Sequence, residues 1–276
     1  MRLRMQLLLQ NDCCRAWKIF QPKGVMLHST GANNPNVSRY VPGSEEIGRN
    51  TAGNHWDQSN AQWQAKFGTK LDKCVHAFVG RFADGGVGAV QTLPLNVRGW
   101  HAGDSRGNDQ YLGFEICEDD LTDETYFRAV YREAVELTAH WCRLHNWDPL
   151  ADDVIICHAE GFQLGVASNH GDVMHWFPRF GVNMDDFRAD VAREMEDDDM
   201  DAKRFRELFL EMRSGLQDND SAQWSEQARQ WAIDNGLISG GTPGPDGQPN
   251  YMWEDLLTRE QMVQLLFRFA RYLGKE

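Results

Sequence analysis

Apolar residues along the first 190 positions fall into short runs separated by turn-forming residues. Runs at 24–28, 75–80, 87–92, 112–117 and 154–158 are rich in β-branched or aromatic residues and flanked by turn signals, which predicts strands. Asp84-Gly85-Gly86, between the second and third, is a hairpin signal. The period changes between 123 and 146. There Phe127, Val130, Ala134, Leu137, Trp141 and Leu144 recur at helical spacing, which gives one apolar face. Thr122 is the expected N-cap of that helix, with Asp123 and Glu124 in its first turn. A second helix is predicted at about 184–196, and a weaker helical pattern covers 57–66. Residues 1–192 therefore read as one α/β domain.

The pattern then shifts. Glu194 to Asp201 reads EMEDDDMD, a like-charge block expected of a solvated linker or helix end. Phe205, Leu208, Phe209 and Met212 give 203–213 a short amphipathic pattern, so 193–220 reads as an acidic linker and helix. Residues 221–276 predict a small module of helix, Pro/Gly-rich turn (TPGPDGQPN) and helix, with Gly236 as a C-cap and Thr258 with Gln261 as a capping box. So short a segment has a marginal core of its own. It is expected to pack on the first domain or on a second copy of the chain.

Charge narrows the function classes. The 276 residues carry a net charge of −13. From Glu194 onward there are 17 acidic and 9 basic residues, so −8 of that total lies in the C-terminal part. Such a balance excludes nucleic acid as the main partner, because little here would neutralise phosphates. The six cysteines, at 13, 14, 74, 117, 142 and 157, form no CxxC pair and read as buried thiols in a reducing compartment. The opening MRLRMQLLLQ resembles an export signal only superficially, since its apolar stretch falls short of the roughly 7–15 residues required. No stretch approaches the roughly 20 apolar residues of a membrane span.

Candidate chemistry gathers in three places. His28 in GVMLHSTG and His158 in VIICHAEG each end a strand-like run, and Asp172 follows in a loop containing Gly and Asn. Two imidazoles and a carboxylate make a three-ligand set with a fourth position open for water, as hydrolytic zinc requires. Glu115 alternates to one face of its strand, where a carboxylate needs a partner. His170 lies two residues before Asp172 and, in an extended segment, would point the same way. Cys157 with His158 and Ser29 with His28 are strand neighbours facing opposite sides, so neither pair forms a nucleophile–base dyad. His76, His101, Trp100 and Trp176 are candidates to line a substrate cleft, with plain packing as the alternative. His55, His140, His145 and His175 read as structural, and Glu118, beside Asp119 and Asp120, as a solvated strand end.

Taken in order, LHSTG, VHAFVG around His76, RGWHAGD, LGFEICE and the series His158, His170, Asp172 resemble the zinc-dependent N-acetylmuramoyl-L-alanine amidases of the type 2, peptidoglycan-recognition-protein-like family, in particular those of phage lysis enzymes and autolysins. The resemblance spans roughly 20–190. It implies a mixed central sheet flanked by helices, one Zn²⁺ per chain on His28, His158 and Asp172, and cleavage of the amide joining N-acetylmuramic acid to L-alanine. It places Glu115 beside the attacking water and His170 against the scissile carbonyl. Many relatives carry Cys as the third ligand and a Tyr where Val75 stands, which shifts the proton chemistry here onto Glu115 and His170. A non-catalytic peptidoglycan-binding protein of the same fold is the alternative. The C-terminal module loosely resembles a surface-layer-homology repeat, implying wall binding or self-association into a homo-oligomer. The short N-terminal apolar stretch then predicts a lysis enzyme made in the bacterial cytoplasm and acting on the wall after release.

Overall fold

The computed structural model describes residues 1–197, 202–243 and 247–275. It divides into two units, Met1–Asp198 and Asp199–Glu276. The first is built on six strands: β1 (Leu3–Met5), β2 (Gly24–Ser29), β3 (Ala77–Arg81), β4 (Val87–Gln91), β5 (Tyr111–Ile116) and β6 (Ile155–Cys157). They form one sheet in the order β1-β4-β3-β5-β2-β6. Only the β3–β4 hairpin is antiparallel, so the sheet is mixed as expected.

Strand alternation divides the sheet's two faces. Val25 and Leu27 of β2, Leu112, Phe114 and Ile116 of β5, and Ile155 and Cys157 of β6 join one core cluster. The intervening residues face the other way: His28 on β2 and Glu115 on β5 line the cleft, Met26 packs in a second apolar cluster, and Gly113 lies under the His101 ring. The register pairs His28 with Glu115 across the β2–β5 ladder. These strands are buried on both faces, which explains why they read as apolar runs and not as alternating patterns.

Helices follow the same logic. In chain order they are α1 (Asp12–Ala16), α2 (Asn60–Phe67), α3 (Ser105–Asn108), α4 (Glu124–His145), α5 (His158–Gln163), α6 (Met184–Asp197), α7 (Ala202–Ser214), α8 (Glu226–Asp234) and α9 (Arg259–Tyr272). The long α4 buries Phe127, Val130, Ala134, Leu137 and Trp141 against the sheet and α6. Leu144, expected on that face, is 60% exposed, because the last turn runs past the core. The N-cap is Asp123, one residue beyond the expected Thr122, and its carboxylate accepts from the Tyr126 N–H. Among the described residues no helix is long and apolar enough to cross a membrane.

β1, α1, α3 and α5 escaped the sequence pattern. Residues 3–5 add a parallel edge strand to β4, and the Met1 amine pairs with Glu136 of α4. Asn11 then caps α1, while its side-chain amide bonds the Trp56 and Lys73 carbonyls at 3.0 and 3.2 Å. In the C-terminal unit the Thr258–Gln261 capping box forms, and Gly236 sits at φ 66° just past the end of α8. There Arg213 reaches Asp255 at 2.7 Å. Of the acidic block, residues 198–201 lie outside the described residues, as do 244–246 of the Pro/Gly-rich turn.

Candidate metal centre and cleft

Three donor atoms converge where β2, β6 and the loop after α5 meet. His28 Nδ1 lies 2.9 Å from His158 Nδ1 and 3.3 Å from Asp172 Oδ2, and the third edge, His158 to Asp172, is 3.6 Å. Ligand bonds of about 2.0–2.1 Å at tetrahedral angles require donor–donor edges of about 3.3 Å, so the triangle is the right size for one small cation. Among the described residues no other group of three or more His, Cys, Asp and Glu converges in this way. The two histidines are buried, 2% and 4% exposed.

The hydrogen bonds behind the histidines fix which nitrogen is free. His101 Nε2 lies 3.1 Å from the Tyr111 carbonyl, which can only accept, so that nitrogen carries the hydrogen. His101 Nδ1 is then an acceptor for His28 Nε2–H at 2.9 Å, and His28 Nδ1 keeps its lone pair for the cation. On the other side His158 Nε2 donates to Ser168 Oγ at 3.2 Å, while the Ser168 hydroxyl lies 3.3 Å from the Ala102 carbonyl, so His158 Nδ1 is likewise free. Two lone pairs facing each other at 2.9 Å repel unless a cation lies between them. Burial is the main force holding His28 below the ordinary imidazole range, in the neutral form that binds metal.

Local structure explains why these side chains arrive together. Glu160 accepts from the Cys157 N–H at 3.0 Å and is gripped by Arg188 of α6 at 2.7 Å. That grip turns the chain from β6 into α5 directly, so His158 opens a helix where the apolar run had suggested a strand end. The Ala159 N–H bonds the Asp172 carbonyl at 3.1 Å and ties the third ligand's loop to this turn. Asn108 accepts from the His101 and Ala102 N–H groups at 2.7 and 2.9 Å and sets the His101 backbone. Two glycines make room. A Cβ on Gly113 would come within 2.5 Å of the His101 ring, and one on Gly103, already at φ +65°, within 2.3 Å of Ser168 Oγ.

The triad opens into a cleft of about 690 Å³ that also holds Glu115, His170, Trp100, His101, Lys73 and His175. Glu115 Oε2 is buried without a hydrogen-bond partner. Burial, reinforced by the charge of Asp172, pushes its carboxyl up to about 8. An orphaned carboxylate aimed at a cation site is a group reserved for another reactant. His170 is exposed, its ring centroid 4.8 Å from that of His158, and its Nδ1 lies 3.0 Å from Ser168 Oγ. The segment between Ser168 and Asp172 is loop and turn, so Ser168, and not strand alternation, brings His170 beside the ligands.

Two of the four cleft candidates are placed elsewhere. His76 is fully buried; its Nε2 bonds the Val97 carbonyl at 2.9 Å, its Nδ1 accepts from the Gly113 N–H at 3.0 Å, and burial pushes it down to about 4. Trp176 is fully buried in the core, its ring 5.3 Å from that of Phe127. Neither has a surface left for substrate, and both are corrected to packing residues. Trp100 and His101 do line the cleft. Glu118, read as solvated, is 4% exposed and bonds His175, which lines the cleft as well. Ser168 leaves only one trace in the sequence, the density of polar residues in ASNHGD.

No curated protein matches the chain. Among solved structures it is similar to the Staphylococcus aureus hydrolase AmiA in complex with its ligand, at 13% identity, covering 71% of this chain and 83% of that one with a TM-score of 0.48. It is also similar to the catalytic domain of XlyA, at 20% identity, 69% and 99% coverage and a TM-score of 0.44. A mutant endolysin from Bacillus subtilis is similar at 21% identity, with 69% and 99% coverage and a TM-score of 0.43. The model of the N-acetylmuramoyl-L-alanine amidases matches residues 19–173, over half of the chain and the whole span from β2 to the third ligand. On that match the protein belongs to the N-acetylmuramoyl-L-alanine amidase family.

Proposed function

We propose that this peptidoglycan amidase works as a zinc enzyme, with His28, His158 and Asp172 as the metal ligands and Glu115 and His170 as the groups that act on substrate. The single observation that carries the reading is the triangle of donor atoms 2.9–3.6 Å apart, opening on Glu115, whose Oε2 is buried with no partner. Two neutral imidazoles and a carboxylate are a donor set that zinc accepts. A divalent cation held there supplies an activated water and polarises the scissile carbonyl. Glu115, across the ladder from His28, takes the proton of the attacking water and returns it to the leaving nitrogen. His170, held beside the ligands by Ser168, faces the scissile carbonyl, whose oxygen takes up negative charge. The bond broken joins the lactyl group of N-acetylmuramic acid to L-alanine, and Trp100 offers an apolar face to the sugar.

The test is mass spectrometry of soluble products from purified peptidoglycan, with the protein metal-loaded, chelated and zinc-restored. Stem peptides with a new N-terminal alanine are expected, abolished by chelator and regained with zinc. Glu115→Gln should lower kcat by about 10²–10⁴-fold while binding metal normally. An intact wall under zinc-replete conditions would favour a peptidoglycan-binding protein, and cut glycan without free peptide would refute the assignment.

A lysis role, with the enzyme made in the cytoplasm and reaching the wall after release, is part of the proposal. Residues 3–8 are built into the folded unit, β1 in the sheet and Leu8 fully buried, so this segment belongs to the working enzyme. The C-terminal unit is proposed to bind wall polymer or to pair with a second copy. Its exposed Trp224, Leu266 and Phe267 support a surface that meets a partner.

A further inference from the structure

The cleft opens over β5, where Glu115 lines it. His101 lies over Gly113 at one end, Glu115 stands two residues further on, and beyond the strand's last residue Glu118 turns inward. Glu118 is 4% exposed, yet it neither faces the cation site nor enters the proton path. Its Oε1 lies 3.0 Å from Nε2 of His175, whose side chain is 39% exposed and lines the cleft.

Both partners are fixed from behind. The Glu118 N–H donates to Thr30 Oγ1 at 3.1 Å, and its carbonyl accepts from the Asn34 N–H at 2.8 Å. The His175 N–H donates to the Gly171 carbonyl at 3.2 Å, and its own carbonyl accepts from Arg179 Nε at 3.1 Å. A carboxylate only accepts, so Nε2 carries the hydrogen in this bond and Nδ1 is the nitrogen left for the cleft. Burying a carboxylate costs free energy that a partly exposed imidazole repays poorly. What the arrangement secures is one orientation of the ring at the rim of the site.

We infer that His175, positioned by Glu118, binds the stem peptide, its Nδ1 accepting a hydrogen bond from a peptide N–H on the leaving side of the scissile amide. The inference rests on the amidase reading of the site. That amide separates a sugar from a peptide. Trp100, at the His101 end, offers the flat apolar face that suits a sugar ring. With the bond at the metal, the peptide extends toward the opposite end, where Glu118 and His175 stand.

Two substitutions separate substrate binding from a purely structural pair. In His175→Gln the side-chain amide nitrogen can take the place of Nε2 and keep the Glu118 bond, but nothing replaces Nδ1. In His175→Asn the side-chain oxygen takes the place of Nδ1, and the Glu118 bond is lost. Steady-state kinetics on a soluble muramoyl-peptide, using the full-length zinc-loaded protein, should show KM raised about five- to tenfold in His175→Gln, the worth of one hydrogen bond, with kcat within about twofold and an unchanged melting temperature. His175→Asn should recover most of the KM despite a lower melting temperature. A wild-type KM in His175→Gln, or a KM that follows melting temperature across the two variants, overturns the inference. Loss of kcat at constant KM also overturns it, in favour of a part in the chemical step. Absence of peptide release by the wild-type enzyme overturns the amidase reading itself, a result distinct from the others.

Discussion

The two units of this chain are held together by different means. In the unit Met1–Asp198 the sheet face beneath α4 and α6 is a continuous apolar core around Phe114, Phe127, Trp141 and Phe187, all fully buried. In the unit Asp199–Glu276, Leu237 is the one buried apolar side chain among the described residues, and Trp224 is 88% exposed. That unit relies on helix ends and single polar contacts: the capping box of α9, Gly236 after α8, and Asp255 bonded by Arg213 at 2.7 Å and by Gln217 at 2.9 Å. Only the first kind of structure can hold three metal ligands to within a fraction of an ångström, because close packing has few alternative arrangements. A cap-and-contact unit keeps its helices but leaves apolar surface available for something else.

The largest effect expected from breaking this contrast is at Trp141. Its ring lies 5.8 Å from that of Phe114 and 6.4 Å from that of His76, so it spans the core beneath the site. Trp141→Ala should cost about 3–5 kcal/mol. Calorimetry should show this in the transition of the amidase unit, with the transition of the C-terminal unit in place. If both transitions shift together, the units fold as one and the contrast drawn here is wrong.

A smaller effect sharpens the comparison at the site. His101→Phe keeps a ring over Gly113 and removes both nitrogens, so the relay from the Tyr111 carbonyl to His28 is lost. Metal affinity, read by competition with a chelator, should fall about 10–100-fold, the usual effect of removing a ligand's orienting partner. Unchanged affinity would mean that packing alone fixes the His28 tautomer.

How much of this could be read in the sequence follows from the same physics. The strands that carry the ligands were legible because burial on both faces makes them short apolar runs between turns. His28, His158 and Glu115 stood out because such residues rarely sit within or just after apolar runs without a partner, and Asp172 because it follows them in a loop containing Gly and Asn. β1 was not legible: it has three residues, two of them exposed, and borrows its structure from β4. The roles of Ser168 and Asn108 were hidden because each bonds histidine segments a few residues away through irregular turns, which leave no periodic pattern. His76 and His101 show the same limit from the other side. Both are histidines near a strand that meet carbonyls, and only the tertiary packing sends one into the core and the other behind a ligand.

The smallest predicted effect tests the C-terminal unit by its own logic. Thr258 Oγ1 accepts from the Gln261 N–H at 3.2 Å, and the Gln261 side chain accepts from the Thr258 N–H at 2.8 Å, so one pair of residues satisfies two helix-end groups. Thr258→Ala should cost about 1 kcal/mol. In the amidase unit so small a loss would shift its transition only slightly, whereas in a unit with a single buried apolar side chain among the described residues it is a large share of what stabilises α9. Amide hydrogen exchange should therefore rise along residues 259–272, while the rates in β2, β5 and α4 stay as they are. Protection in α9 that survives Thr258→Ala would mean that the exposed face of the helix is already covered in solution. Its dependence on protein concentration would then show whether the cover is a second copy of this chain.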